Sequence, residues 1–173
     1  THDSRYFKSP SPFKIGTVLN PLKEYKNTTI RPCYKNLTLI FPSRLNAMAM
    51  DSSQIAMNKK GIYSAGEIVF SIAVYKKVSL VLRDDEKICI NESCERKALV
   101  KHSFLLMKKA LGFQNGFSVT LEDSCEIPHS GLGTSSVLIA TIASALNEFY
   151  GLPIPPQKLV RYLAQNHGEE ITA

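Results

Sequence analysis

The sequence predicts an α+β domain, with an antiparallel-rich sheet carrying its helices on one side. Three observations predict it. Segments that alternate with period two, at residues 34–41, 67–82 and 117–122, cluster rather than alternating strictly with helices, as a doubly wound sheet would require. Two long segments carry apolar residues at helical spacing and end on Gly112 and Gly151. A turn rich in glycine and hydroxyl groups, Gly131-Leu132-Gly133-Thr134-Ser135-Ser136, opens directly into the second of these helices.

Taken in order, residues 1–33 hold four of the nine prolines with little periodicity and are expected to be an extended lead-in, leaving 34–173 as the folded domain. From Tyr34 to Phe41, Leu37, Leu39 and Phe41 alternate as a strand that Pro42 is expected to stop. Residues 43–53 follow, with Met48 and Met50 as core filler. Beyond Gly61 and Gly66, Ile68, Phe70, Ile72 and Val74 alternate, and Val78, Leu80 and Leu82 alternate again after Lys76-Lys77. This gives two adjacent strands or one long bent one. Asp84 and Asp85 offer a turn before a short strand at 87–90. A helix from Ser93 or Cys94 to Leu111 turns Leu99, Phe104 or His102, Leu106 and Ala110 inward, with Lys97, Lys101 and Lys108 outward. Phe117 to Glu122 is a further strand, which leads through Asp123, Ser124 and Cys125 to the glycine-rich turn. The helix beyond it buries Leu138, Ile142, Ala145, Leu146 and Phe149. Pro156 to His167 forms a last short helix, with Gly168 as its C-cap.

The 173 residues carry a net charge of +6, from 21 basic against 15 acidic side chains. The basic pairs Lys59-Lys60, Lys76-Lys77, Arg96-Lys97 and Lys108-Lys109 are not interleaved with aromatics and form no longer run. They read as solvated faces with a general attraction for anions, and not as a nucleic-acid surface. No run approaches the roughly 18 apolar residues of a membrane span, and no charged-then-apolar leader opens the chain. A cytoplasmic protein with no membrane partner is expected. Cys33, Cys89, Cys94 and Cys125 are scattered, which argues for reduced thiols and against a zinc site. A start at Thr1 and a stop at Ala173 suggest an excised or processed piece.

The glycine-rich turn concentrates the chemistry. A helix held in the core cannot fray, so its first turn presents fixed N–H groups and the positive end of the macrodipole, a ready phosphate site. Gly131 and Gly133 remove Cβ atoms where backbone must approach a ligand. A Walker A loop needs a lysine that is absent here. A dinucleotide fingerprint needs a glycine where Ser136 stands, and a nucleophile elbow needs Gly-x-Ser-x-Gly.

Ile127-Pro128 followed by Gly131-Leu132-Gly133-Thr134-Ser135-Ser136 resembles the second signature of the GHMP kinase superfamily, most closely its fucokinase and heptose kinase branch. Phe41-Pro42-Ser43-Arg44-Leu45-Asn46 resembles the first signature, and Gly168-Glu169 resembles the helix end of the mevalonate kinase branch. Two residues, His129 and Ser130, separate the proline from the glycines where three are usual. Residues 47–51 replace the Gly-Glu-His-x-Asp of sugar kinases.

The resemblance implies a ribosomal protein S5 domain 2-like fold, the N-terminal ATP-binding half of a kinase whose C-terminal domain is absent from this chain. It implies that ATP phosphates are held by Pro128, Ser130, Gly131, Leu132, Gly133, Thr134, Ser135 and Ser136. Magnesium would be held by Ser136 and Glu169, with Glu170 the neighbouring alternative. Arg44 and Asn46 would face a small-molecule acceptor, sugar-like or related, and a catalytic aspartate would lie beyond Ala173. His129 is expected to be structural. Two other functions remain open: a kinase-like nucleotide-binding module without catalysis, and a non-kinase superfamily enzyme of the ribosyl-condensing type.

Overall fold

The computed structural model describes residues 16, 18, 22, 30–49, 67–123 and 134–166. Their elements run β1 (Asn36–Ala49), β2 (Glu67–Arg83), β3 (Ile88–Ile90), α1 (Lys97–Leu111), β4 (Gly116–Asp123), α2 (Thr134–Phe149) and α3 (Pro156–Asn166). The four strands make one sheet in the order β1-β2-β4-β3, antiparallel except between β3 and β4, which are parallel. This is the α+β arrangement that the periodicity predicts.

β2 is a single 17-residue strand. Its even-numbered residues keep one phase through the lysine pair, so Lys76, Val78 and Leu80 are all buried against the helices while Tyr75 and Val81 are exposed on the far face. The expectation of a solvated Lys76 is thereby corrected: strand phase, and not charge, decides its side.

β1 corrects a second expectation, because it runs through Pro42 to Ala49. Proline has no N–H to give the ladder, and the pairing with β2 shifts register between Pro42 and Ser43. As β1 lies at the edge of the sheet, the missing donor is tolerated there.

α1 begins at Lys97 with Arg96 as N-cap, later than periodicity suggests, and ends in left-handed Gly112. Both His102 and Phe104 are buried. His102 is therefore no surface residue; its Nδ1 accepts the Gly16 N–H at 3.1 Å. Val18, Leu22 and Ile30 pack against the same core.

An aromatic cluster joins the layers. Phe117 of β4 meets Phe149 at 5.1 Å, Phe104 at 5.6 Å and Phe113 at 5.8 Å between ring centroids. α3 is tied on through Tyr162, whose hydroxyl donates to the Leu106 carbonyl at 2.6 Å and whose phenol is pushed up to about 12 by burial. The α2–α3 connection is closed by Asn147, which donates to the Ile154 carbonyl and accepts its N–H. Phe149 thus lies over the start of β4, and Leu138 and Leu121 meet at a common cleft near its end. α2 therefore runs opposite in direction to β4 while packing mainly over β1 and β2, and its N-terminus lies at the end of the sheet where β4 leaves at Asp123.

The turn before β3 shows how closely the chain folds back. Arg83 grips Asp85 through Nε and Nη2, each at 2.7 Å, and this hydrogen-bonded guanidinium holds the Asp85 carboxyl down at about 2. The Asp85 carbonyl accepts the N–H of Gly116 at 2.8 Å. A Cβ on Gly116 would collide with backbone atoms of Asp85 and Lys87, none of which can swing aside. Gly116→Ala is expected to lower stability by about 2–4 kcal/mol, read from the urea midpoint. An unchanged midpoint would show that the turn opens at little expense.

Candidate functional site

The cleft beside the first turn of α2 encloses about 430 Å³ and is lined by Ser93, Cys94, Glu95, Arg96, Leu121, Glu122 and Leu138. One wall is the β3–α1 connection, which Asn91 holds against β4. Asn91 accepts the Leu121 N–H at 3.1 Å and donates Nδ2 to the Leu121 carbonyl at 3.3 Å and to Ser93 Oγ at 2.6 Å. These bonds extend the β4 pairing past the end of β3. They explain why the segment stays out of the helix until Lys97.

The opposite wall is α2. Ser135 and Ser136 are half-buried in its first turn, which Thr134 opens. Arg96 Nη1 crosses from the other wall and donates to Ser135 Oγ at 2.8 Å. Glu122 is drawn toward Lys77, with which it forms an ion pair at 3.1 Å on the outer face. Lys76 lies on the helix-facing side of β2 at this same end of the sheet, opposite Asp123 in register. A lysine is buried only when it is engaged, and Lys76 is engaged.

Of the residues predicted from sequence, the structure brings Thr134, Ser135 and Ser136 together at the helix start. Pro128, Ser130, Gly131, Leu132 and Gly133 lie outside the described residues, as do His129, Glu169 and Glu170. Arg44 and Asn46 sit in β1 opposite Ser71 and Val69. Ser43 pairs with Ile72 on the helix-facing side, so Arg44 follows it onto the other side of the strand, away from the cleft lining.

Arg96, Lys76 and the Asn91 clamp were not singled out from sequence. The unbroken even phase of β2 held the signal for Lys76. Arg96 and Asn91 had none, because both act across turns between residues far apart in the chain.

The fold is an α+β domain in which α2 starts at Thr134, beside the cleft at the end of the sheet where β4 leaves at Asp123. Residues 98–172 match the family model described as GHMP kinases N terminal domain. The fold matches homoserine kinase from Cytophaga hutchinsonii at 18% identity and TM-score 0.58, over 82% of this chain and 44% of that one. It also matches mevalonate kinase from Methanococcus jannaschii at 12% and 0.58, over 76% and 45%. Galactokinase from Lactococcus lactis, complexed with galactose, matches at 19% and 0.57, over 80% and 39%. The family match covers residues 98–172 of this chain, and the solved structures share its fold. The chain spans less than half the length of each of these three structures. Among curated proteins the sequence finds no match.

Asn91→Ala removes the partners of both Leu121 backbone groups. The Leu121 amide is expected to exchange with solvent about tenfold faster or more, while amides at the far end of β4 keep their rates. Unchanged exchange at Leu121 would mean that Asn91 does not hold this wall.

Proposed function

We propose that the chain is the ATP-binding part of a kinase that transfers the γ-phosphoryl group of ATP to a hydroxyl, or a phosphate, of a sugar-like or related small metabolite. The observation that carries this reading is the start of α2, where the last three residues of the Gly-Leu-Gly-Thr-Ser-Ser sequence form a helical first turn beside an open cleft. Phosphoryl transfer asks the protein mainly to position two reactants and to neutralise charge, and a helix N-terminus contributes to both.

In this reading, backbone N–H groups from Ser130 to Ser135 cradle the phosphates, with Pro128, Gly131, Leu132 and Gly133 shaping the loop. Ser136 offers a hydroxyl oxygen in the first turn, the donor type a hard cation takes. Ser136 and Glu169 would hold magnesium, which when bound supplies charge neutralisation at the phosphate oxygens. Arg44 and Asn46, which the resemblance assigns to the acceptor, would have to meet it from outside the cleft lining, because β1 carries Arg44 on the other side of the strand. Solved relatives of this fold named for homoserine, mevalonate and galactose support a small hydroxylated acceptor as a class. Residues 47–51, which depart from the sugar-kinase signature, favour a second reading as a nucleotide-binding module without turnover. The cytoplasm is the compartment we assign, in keeping with free thiols at Cys33, Cys89 and Cys94.

Two measurements test the proposal. The full-length protein is expected to turn over ATP with one member of a panel of sugars, mevalonate and homoserine, and Gly133→Val is expected to abolish ATP binding, because a branched side chain blocks phosphate approach. Unchanged ATP affinity in that variant overturns the loop assignment, and ATP binding without turnover selects the second reading. For the metal, Ser136→Ala is expected to shift the magnesium concentration for half-maximal turnover upward by about tenfold. An unshifted magnesium titration removes Ser136 from the site.

A further inference from the structure

We propose that Arg96 is a nucleotide-positioning residue, which holds the phosphate chain of bound ATP against the first turn of α2; this rests on the ATP-binding reading above. The guanidinium lines the cleft and is anchored by its Nη1 bond to Ser135 Oγ at 2.8 Å. Because Ser135 accepts that bond, its own hydroxyl proton is turned toward other acceptors. A planar guanidinium carries five N–H donors in a fork that matches paired phosphate oxygens, and the anchor fixes the plane of that fork at the helix start.

The place of Arg96 in the chain supports this independently. Arg96 is the N-cap of α1, a position that favours Ser, Thr, Asp or Asn. It makes no side-chain capping bond, and no acidic residue stands in the first turn of α1. A cation here opposes the macrodipole of its own helix. Arg96 thus serves α1 poorly and reaches across to α2 instead. The result brings two helix N-termini and a guanidinium to one cleft. Among the described residues, two carboxylates share the lining: Glu122 is paired with Lys77, and Glu95 precedes Arg96 on an exposed stretch of the connection. An anion with several oxygens, entering between the two helix starts, is the ligand this arrangement complements.

The test is ATP affinity of the full-length protein by titration calorimetry at low and high salt, for wild type, Arg96→Gln and Arg96→Lys. Arg96→Gln is expected to weaken ATP about tenfold or more at low salt, with the difference narrowing as salt screens the lost charge, and Arg96→Lys to recover part of the loss. Wild-type affinity in Arg96→Gln overturns the proposal, and so does a loss that is independent of salt, which a purely structural strut would give. If circular dichroism shows Arg96→Gln to be unfolded, Arg96→Lys carries the test, with a severalfold, salt-dependent loss expected and a wild-type value overturning the role. A wild type that binds no ATP overturns the kinase reading, and the Arg96 role with it.

Discussion

The contact between Phe117 and the C-terminal turn of α2 orients everything else. The Phe117 ring sits at the start of β4, 5.1 Å from Phe149 and 5.6 Å from Phe104, so one side chain ties the sheet to both inner helices. A buried aromatic of this size contributes on the order of 2–3 kcal/mol through area alone, and its removal typically costs about 3–5 kcal/mol. With Phe149 fixed over the start of β4, a 16-residue helix spans about 24 Å back along the strand. Its first turn must then lie near the opposite end of the sheet. Core packing at one end therefore places charged chemistry at the other.

That opposite end is where the local rules of protein architecture give way. Lys76 is buried on a strand face otherwise occupied by Val78 and Leu80. Arg96 occupies an N-cap that it does not cap. Each choice is unfavourable by itself, the first through desolvation and the second through the helix dipole. Departures of this kind gather at functional sites, where a ligand completes what the isolated protein leaves unfavourable. Both are cations at the end of the sheet where α2 starts, whereas the other buried polar side chains, such as Ser103, Thr141 and Asn147, are uncharged and hydrogen-bonded.

Much of this could be read from residue order, for identifiable reasons. The apolar stripe of α2 is unambiguous because helical spacing persists over its whole length, and Leu138, Ile142, Ala145, Leu146 and Phe149 are all buried as that spacing requires. In β2 the sequence leaves open two strands or one long one, because Lys76-Lys77 interrupts hydrophobicity without interrupting alternation, and the structure has the single strand. β1 was cut short at Pro42, since the tolerance of an edge strand for proline depends on strand order, which local sequence does not encode. The start of α1 was misjudged by several residues because Asn91 holds the chain on Leu121, a partner 30 positions away. In the candidate site, the helix start was legible from glycine and hydroxyl spacing. Arg96 was not, because its partner Ser135 is 39 positions distant.

The difference between the two ends of the candidate site follows from what each is made of. A phosphate-binding helix start works through backbone N–H groups and aligned peptide dipoles, which every sequence supplies once the helix is placed and glycines clear the approach. Acceptor recognition works through side chains, which change freely while the backbone stays. Solved structures named for homoserine kinase, mevalonate kinase and galactokinase share this fold at only 12–19% identity. In the proposed reading those side chains would be Arg44 and Asn46, which lie in β1 beyond the register shift at Pro42. The shift matters because it resets which β1 residues face which β2 partners beyond that point. Because the shift at Pro42 skips two residues of β2, an even number, β1 keeps its phase through the proline: Ser43 stays buried on the helix-facing side and Arg44 follows on the other.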